Sequence, residues 1–407
     1  MTETAVSLIV VSRHRTASLL RAIKAVQLQD YGALELVVVA DPDAANAVQG
    51  LGLPIKLVVF DQANIAAARN AGIAAAAGDL VAFLDDDAVP EPTWISRLTG
   101  PFVNATVQMA TGFVRGRNGI SDQWRACDVD QYGWDHLLAL DRSAVTLLAG
   151  TPQRAVKAQG TNCAFRRAVL IGLGGFDEGY HFYLEDSDLS LRVAALGGLA
   201  AVVPEAVVQH GFSASQRRRA DRAPLCLHDI GASNAYFLRR HAAETDMETQ
   251  RTAHLNAQKA RLIRHLVQGS LEPRDIDRLI ESFETGWQEG TLRAPTVLAQ
   301  LPVARTPFQP LGTIPRAGVF IAGRCWQRRE LIRKASVELA LGKIVTVLCF
   351  SPTTWYHQHK FESSGFWLQR GGVFGRSLRD QGFIRPQGFV TRVSEEVARI
   401  AKTRPIR

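Results

Sequence analysis

Five apolar residues run directly into three carboxylates in the stretch Leu80-Val81-Ala82-Phe83-Leu84-Asp85-Asp86-Asp87. The apolar part is typical of a buried β-strand. Adjacent carboxylates repel one another, and a divalent cation relieves that repulsion, because oxygen ligands suit Mg²⁺ or Mn²⁺ and these ions also bridge to phosphate oxygens. In an extended chain Asp85 and Asp87 point to one side and Asp86 to the other. A solvated acidic turn is the alternative interpretation.

Similar apolar segments precede this strand and alternate with helical patterns. The other strand patterns cover residues 6–11, 34–39 and 56–60, with helical patterns at 19–26 and 66–77. This alternation predicts an α/β fold with a mainly parallel sheet and helices on both faces. A ligand of such a sheet lies at the carboxyl ends of its strands. The polar loop 12–15, Asp41 and the three aspartates all follow strands and are therefore expected at that edge.

The rest of the chain divides by composition. We predict a first domain over residues 1–228 and a helical, charged extension over residues 229–293. Residues 294–315 contain Pro295, Pro302, Pro307, Pro310 and Pro315, and prolines at this spacing interrupt both helices and central strands. We interpret them as a linker to a small α/β domain over residues 316–407, whose role the sequence does not indicate. A chain that ends near residue 300 is therefore expected to keep the ligand binding of the first domain.

The composition favours anionic partners in a reducing compartment. The chain has 407 residues and a formal net charge of +8, which favours nucleotides or an acidic membrane surface. Nucleic acid is not expected, because no basic motif is interleaved with aromatic residues.

The five dispersed cysteines are typical of reduced thiols. No apolar run approaches the ~20 residues that span a bilayer, and the N-terminal run is too short for a signal peptide. These features predict a cytoplasmic protein, with peripheral contact at the inner membrane face as a further expectation.

Several isolated polar residues are candidates for a site, and each has a plain structural alternative. Asp41 ends a strand, where its carboxylate could accept the N3–H of uracil or close a turn before Pro42. Arg69 could pair with a phosphate or be a surface arginine on an alanine-rich helix. His210 follows a strand pattern, and a lone histidine is more often a core or surface residue than a ligand.

Acidic and basic clusters in the second half of the first domain are also candidates. Glu185, Asp186 and Asp188 begin a helix, where acids could serve in catalysis or simply interact favourably with the helix dipole. Residues 217–219 and Arg222 form a basic cluster. That cluster could cover a diphosphate, contact anionic lipid, or form a solvated helix face.

Taken together, these segments resemble family 2 inverting glycosyltransferases over roughly residues 5–240. The segments that carry the resemblance, in chain order, are residues 7–15, Asp41, Asn64-Ile65-Ala66-Ala67-Ala68-Arg69-Asn70-Ala71-Gly72, residues 83–87, residues 160–167, Gly174-Gly175-Phe176-Asp177-Glu178, residues 185–192 and His210. The resemblance implies the GT-A fold, one Rossmann-like nucleotide-binding domain, and a nucleotide-diphosphate-sugar donor, with UDP as the expected nucleotide.

The resemblance also implies roles for individual residues. It assigns Asp41 to the base of the nucleotide, Arg69 to a position near the nucleotide, Asp85 and Asp86 to the ribose and metal, Asp87 to the metal, and His210 to the metal or diphosphate. It makes Asp186 the general base, with Glu185 in support and Asp188 as the next candidate. Val11, Ser12 and Arg15 belong to the donor-binding first loop. This loop departs from the family pattern, because Arg13 stands where a tyrosine often lies against the base.

The expected reaction transfers the sugar to a carbohydrate or lipid-linked acceptor in polysaccharide or glycoconjugate synthesis. A Mn²⁺ or Mg²⁺ cofactor would offset the charge on the departing diphosphate, while the base takes the proton from the acceptor hydroxyl. One displacement gives inversion. The alternatives are a nucleotidyltransferase, whose usual glycine-rich first loop is missing here, and a non-catalytic nucleotide-sugar-binding protein. Residues 355–359 of the small domain could line an acceptor or partner site, or could be a packed surface.

Overall fold

The computed structural model describes residues 3–116, 118–211, 217–219 and 221–405. The strands of its first part are β1 (Val6–Ser12), β2 (Leu34–Ala40), β3 (Ile55–Val59), β4 (Leu80–Asp85), β5 (Ala88–Pro90), β6 (Val107–Arg115), β7 (Asp122–Trp124), β8 (Cys127–Asp130), β9 (Asp135–Leu137), β10 (Thr146–Ala149), β11 (Arg154–Val156), β12 (Cys163–Arg166) and β13 (Leu199–His210). Within these described residues, ten strands form one sheet, whose main order is β10-β13-β6-β12-β4-β1-β2-β3, while β11, β8 and β9 form a small second sheet.

The large sheet is mainly parallel. Strands β3, β2, β1 and β4 run in one direction, β6 and β13 share it, and β12 and β10 run against it. The helices of this part are α1 (Thr16–Val26), α2 (Pro42–Gln49), α3 (Ile65–Ala75), α4 (Trp94–Thr99), α5 (Arg167–Gly172) and α6 (Glu185–Ala194), and Gly100–Val103 is a 3₁₀ turn. The predicted α/β class with a mainly parallel sheet is therefore confirmed.

Alternation along the central strands explains why helices cover both faces. Leu8 and Val10 of β1 belong to the core beneath α1, α2 and α4, whereas Ile9 belongs to the core beneath α3, α5 and α6. A strand that is buried on both faces must be apolar throughout. Helix α3 approaches β1 closely at Gly72, where a Cβ atom would lie 2.6 Å from Ile9 Cγ2.

A helical layer follows the sheet. It consists of α7 (His228–His241), α8 (Met247–Val267) and α9 (Pro273–Leu292). Helices α7 and α9 are in very close contact, because a Cβ at Gly286 would lie 2.0 Å from the carbonyl oxygen of His228. Phe283 and Trp287 of α9 fill the core between these helices.

Residues 294–315 contain no helix or strand and lie along the first part of the chain. The Leu311 N–H donates to the Leu34 carbonyl at 2.7 Å, and the Leu301 N–H donates to the Ile171 carbonyl at 3.2 Å. The Gln309 N–H donates to Glu35 Oε2 at 3.0 Å. The segment is therefore tied down along its length.

The C-terminal unit is a four-stranded sheet with two helices. Its elements are β14 (Gly318–Arg324), the 3₁₀ turn Cys325–Gln327, α10 (Arg328–Ala340), β15 (Ile344–Ser351), β16 (Gln358–Phe361), β17 (Trp367–Gly372) and α11 (Phe389–Ile400), in the sheet order β14-β15-β17-β16. One apolar cluster joins it to the first part, because Ile344, Phe361 and Trp367 pack with Ala25, Leu28 and Val89.

No helix in the described ranges combines the length and apolarity needed to cross a membrane. All five cysteines fall within those ranges, and all are free thiols.

Candidate functional site

The acidic turn after β4 lies opposite the end of β13. Strand β5 follows the turn at once and pairs antiparallel with β13, with Ala88 opposite His210. His210 Nε2 therefore lies 3.0 Å from Asp87 Oδ1 and 3.6 Å from Asp85 Oδ2. The ligand atoms of these three residues all lie within 4.8 Å of one another.

The chemistry of this cluster fits a divalent cation. His210 Nδ1 lies 3.0 Å from Gln123 Oε1. An amide oxygen only accepts hydrogen bonds, so a cation bound here would take the lone pair of Nε2 while Nδ1–H donates to Gln123. Metal–oxygen bonds of about 2.1 Å allow one ion to bridge the group with small side-chain movements. Two carboxylates with one imidazole nitrogen suit Mn²⁺ better than Mg²⁺, which prefers oxygen ligands alone.

Asp86 faces away from this cluster and anchors the first loop. It accepts a hydrogen bond from Ser12 Oγ at 2.7 Å and pairs with Arg15 Nη2 at 2.6 Å. Burial raises the pKa of Asp86 to about 7, and Arg15 and Ser12 act against that rise. Arg15 Nη1 also lies 3.6 Å from Asp87 Oδ2. Val11 precedes this loop on β1, beside Asp85 of β4.

Arg69 connects the acidic turn to helix α6. It is buried on α3, so the surface interpretation is wrong. Its Nη1 pairs with Glu185 Oε1 at 2.8 Å, and its Nη2 lies 3.7 Å from Asp85 Oδ1. Burial raises the pKa of Glu185, the charge of Asp186 adds to the rise, and Arg69 opposes it. Glu185 therefore fixes Arg69 beside the cluster.

Asp41 has a structural task. It is the N-cap of α2: Asp41 Oδ1 accepts the Ala44 N–H at 3.1 Å, and Oδ2 accepts the His14 N–H at 2.7 Å. Burial acts to raise its pKa, but these two backbone hydrogen bonds outweigh burial and lower it. Asp41 lies at the end of a different strand from the acidic turn, and it reaches the first loop through His14.

Asp186 is half-buried at the start of α6. Among the described residues, its side-chain oxygens make two long contacts, with the Gly160 N–H at 3.4 Å and Ser187 Oγ at 3.3 Å. The two residues before the helix, Tyr183 and Leu184, have φ values of +75° and +67°. A left-handed backbone is costly for bulky residues and is retained where the surroundings require it. This bend brings Glu185 and Asp186 to the carboxyl edge of the sheet.

Asp188, the next candidate for the general base after Asp186, is fully buried and forms ion pairs. It contacts Arg192 Nη2 at 2.7 Å, Arg240 Nε at 3.0 Å and His241 Nε2 at 2.8 Å. Burial acts to raise its pKa, but Arg192 and His241 outweigh burial and lower it. Asp188 therefore fastens α6 to α7 and does not face the site.

Sequence reasoning missed four residues near the site: Lys157, Asp135, Trp124 and Gln123. Lys157 pairs with Asp135 Oδ1 at 2.9 Å, and its Nζ lies 5.6 Å from the centre of the Trp124 ring. Burial acts to lower the pKa of Lys157, but the charges of Asp186 and Asp135 outweigh it and raise the pKa. Gln123, which orients His210, is the fourth. No motif marks these residues, because their partners lie far away in the chain.

A cleft of about 890 Å³ opens beside Gln123, between the first part and the C-terminal unit. Its polar lining includes Arg125, Arg142, Arg222, Tyr356 and Arg379. Of the aromatic and polar run 355–359, His357 and His359 are buried, whereas Trp355 and Tyr356 are exposed.

Two arginines of the basic cluster are engaged by nearby groups. Arg217 pairs with Asp229 at 2.5 Å, and Arg219 pairs with Asp221 at 2.9 Å.

The structure thus brings most of the predicted site residues into one connected cluster at the carboxyl edge of the sheet. Ser12, Arg15, Arg69, Asp85, Asp86, Asp87, Glu185 and His210 are joined by direct contacts. An acidic cluster with a histidine can hold a cation, and the two arginines beside it add positive charge.

Residues 4–223 match the family model described as glycosyltransferase like family 2. The match covers more than half of the chain, so the chain belongs to this family.

Curated relatives share part of this region. The chain is 32% identical over 149 residues to the pre-mycofactocin glycosyltransferase of Mycobacterium tuberculosis, covering 36% of this chain and 29% of that protein. It is 29% identical over 177 residues to the glucosyl-dolichyl phosphate glucuronosyltransferase of Haloferax volcanii, covering 41% of this chain and 53% of that protein. The matches thus span 29% and 53% of the length of these two relatives.

Solved structures resemble the chain more remotely. A mannosyltransferase, PcManGT, from Pyrobaculum calidifontis in complex with GDP-Man and Mn²⁺ has a TM-score of 0.44 at 17% identity, covering 71% of this chain and 88% of that one. GalNAc-T7 with UDP, GalNAc and Mn²⁺ has a TM-score of 0.43 at 15% identity, covering 58% of this chain and 48% of that one.

Proposed function

We propose that this protein transfers a sugar from a nucleotide-diphosphate donor to an acceptor hydroxyl with inversion. One observation carries the proposal: an Asp85–Asp87–His210 cluster and a separate, loosely held carboxylate, Asp186, meet at the ligand-binding edge of a family 2 sheet. The names of the curated relatives, a glycosyltransferase and a glucuronosyltransferase, support the same class of reaction.

The donor diphosphate is assigned to the acidic turn. Asp85, Asp87 and His210 would hold Mn²⁺, which supplies positive charge to the departing diphosphate. Arg15 is 30% exposed beside Asp86 and Asp87 and can turn its guanidinium towards phosphate oxygens, which it binds bidentately. Arg69 is already paired with Glu185, and its positive charge adds to the attraction between the acidic turn with its cation and the diphosphate.

Asp186 is assigned as the base that takes the proton from the acceptor hydroxyl. A general base must be ionised and must reach its proton at hydrogen-bond distance. The long contacts of Asp186 leave lone pairs for the hydroxyl.

UDP remains our proposal for the nucleotide. Each oxygen of Asp41 accepts one backbone hydrogen bond, so each keeps a second lone pair for the N3–H of uracil. A base in that place must displace part of the Arg13–His14 loop, since Asp41 itself is buried.

The cleft beside Gln123 is the proposed approach for the acceptor. Its arginines and the exposed Tyr356 ring suit a carbohydrate or the phosphate of a lipid-linked sugar, because guanidinium groups bind hydroxyl and phosphate oxygens and aromatic rings present a flat apolar face.

A thermal-shift experiment tests the proposal. UDP or GDP is added to the full chain with Mn²⁺, and a nucleotide at 100 times its Kd should raise the free energy of unfolding by about 2.7 kcal/mol. Asp87→Asn should remove this stabilisation. Asp79→Asn is the matched control, because Asp79 is exposed at the opposite end of the same strand.

Incubation with UDP-sugars then separates an enzyme from a binding protein. The wild type should slowly hydrolyse one donor in the presence of Mn²⁺, and EDTA should stop the reaction. Nucleotide stabilisation that persists in EDTA and in Asp87→Asn would contradict the assigned site. Release of pyrophosphate from a nucleoside triphosphate would indicate a nucleotidyltransferase instead.

A further inference from the structure

A buried polar network joins the C-terminal unit to the two strands that carry the acidic cluster. Glu91 follows β5, four residues after Asp87, and accepts from Arg404 Nε at 2.7 Å and Nη2 at 2.8 Å. Gln209, which directly precedes His210, donates to Glu91 Oε1 at 2.8 Å. Glu91 and Arg404 are each only 1% exposed.

His359 of β16 lies at the centre of this network. Its Nε2 accepts from Arg404 Nη2 at 2.6 Å, and its Nδ1 lies 3.0 Å from the Gln209 amide nitrogen. Burial holds the pKa of His359 well below its usual value, with Arg404 adding to the effect. The imidazole therefore stays neutral, with one lone pair: that of Nε2 faces Arg404, and Nε2 lies 3.3 Å from the Gln209 amide nitrogen.

His359 also holds the loop that orients His210. Its backbone N–H donates to the Asn118 carbonyl at 3.0 Å, and a Cβ at Gly119 would lie 2.3 Å from His359 Cβ. This loop leads into Gln123, whose side chain bonds His210 Nδ1. Arg379 adds a second tie, because its Nε donates to Ser121 Oγ at 2.7 Å.

The alternation of side chains along β13 links the network to His210. Neighbouring side chains of a strand point to opposite faces, so Gln209 faces the C-terminal unit while His210 faces Asp85 and Asp87. His210 is thus positioned from two sides, by Gln209 behind it and by Gln123 on its ring, and His359 contacts the segments that hold both.

The composition of the network also indicates that it positions the segments it joins rather than adding stability. A buried ion pair such as Glu91–Arg404 loses hydration, and apolar residues of similar size often give equal or greater stability. Directional hydrogen bonds to Gln209 and to the 118–123 loop instead fix the register of these segments.

We infer that the C-terminal unit is a positioning module for the divalent-cation site, acting through His359 and Arg404 on His210. The inference rests on the proposed function, because it takes Asp85, Asp87 and His210 as the cation ligands. His359 and Arg404 are positioning residues and do not touch the ion.

The test measures Mn²⁺ binding by the full chain without nucleotide, from the EPR signal of free Mn²⁺, well below the unfolding temperature. His359→Ala should weaken Mn²⁺ binding by ~10–100-fold, the usual effect of losing a group that orients a metal ligand. His357→Ala is the matched control. His357 is also a buried histidine of the same unit, but its ring bonds Gln369 and Arg392 instead. It should lose stability and keep its Mn²⁺ affinity.

Arg379→Ala is a second variant for the case that His359→Ala does not fold. Arg379 is exposed, and the change removes its hydrogen bond to Ser121; it should weaken Mn²⁺ binding several-fold. His359→Gln, which can still accept from Arg404, should recover part of the affinity. Wild-type Mn²⁺ affinity in a folded His359→Ala, or in Arg379→Ala, would overturn the inference and leave the proposed function standing. A wild type that does not bind Mn²⁺ would overturn both.

Discussion

At the scale of single residues, Asp186 differs from the acids around it in how weakly it is held. Glu185 and Asp188 are fixed by close contacts to Arg69 and to Arg192, whereas both contacts of Asp186 exceed 3.2 Å. A base needs an oxygen that the acceptor hydroxyl can reach, and Asp186 is half-buried whereas Glu185 and Asp188 are buried.

Asp186→Asn tests this assignment. The amide keeps the size of the side chain but cannot take the proton, so single-turnover transfer at saturating donor should fall by ~10²–10⁴ while donor affinity stays close to that of the wild type. Glu185→Gln serves as the comparison: it weakens the support of Arg69 and should reduce donor affinity more than chemistry. Near-normal turnover in Asp186→Asn would move the base to another residue.

The sequence could predict a site residue only where a local pattern marked it. Asp85, Asp86 and Asp87 stand out because they end an apolar strand, and Asp186 because it begins a helix. Lys157 and Gln123 carry no such mark. Their positions near Asp186 and His210 arise from pairing between strands that are distant in the chain, and no spacing in the sequence encodes that pairing.

At the scale of elements, a buried charge cluster joins α6 to α7 next to the site. Asp188 of α6 meets Arg240 and His241 of α7, and Arg240 also contacts Asp177 at 2.9 Å. Removing one partner of a buried pair leaves the others without compensation. Asp188→Asn should therefore lower the free energy of unfolding by roughly 3–5 kcal/mol, measured by urea denaturation.

The pH dependence of the same contact has a definite sign. Because the pKa of Asp188 is lowered in the folded chain, its stabilisation is complete above the unfolded pKa and is lost as the pH falls through the folded value. The difference in stability between wild type and Asp188→Asn should therefore shrink on acidification. Asp277→Asn, an exposed acid on α9, should show no such loss. Equal stability of Asp188→Asn and wild type at pH 7 would mean that this cluster does not hold α6.

Strand β13 shows why the edges of elements were harder to predict than their existence. The sequence predicted that His210 follows a strand, whereas β13 begins at Leu199 and continues through His210. Pro204 and Glu205 hide this continuation, since proline disfavours a central strand. The pairing of β13 with β6 shifts register between Val203 and Val208, and such an irregularity accommodates the proline. The extension is what carries His210 to the acidic turn.

At the scale of the whole molecule, the C-terminal unit is part of one packed body with the sheet. The sequence predicted a small α/β unit but could not predict where it attaches, because Arg404 and Glu91 are 313 residues apart. Its contact surface combines the apolar cluster of Val89 and Trp367 with the Glu91–Arg404 pair. The expectation that a chain ending near residue 300 keeps donor binding does not take this interface into account.

We therefore predict that truncation destabilises the first part. A chain that ends at residue 315 keeps the segment tied to β2 but loses Arg404, which leaves Glu91 without its cationic partner and exposes Leu28 and Val89. Exposed apolar surface costs stability and promotes aggregation, so the truncated chain should have a clearly lower unfolding temperature. Glu91→Leu should change that temperature little in the truncated chain, because the carboxylate is then in contact with water. In the full chain Glu91→Leu should destabilise by about 3–5 kcal/mol, because Arg404 then stays buried without its partner. This difference separates the ion pair from general packing, and a truncated chain with the unfolding temperature of the full protein would show that the two units are energetically independent.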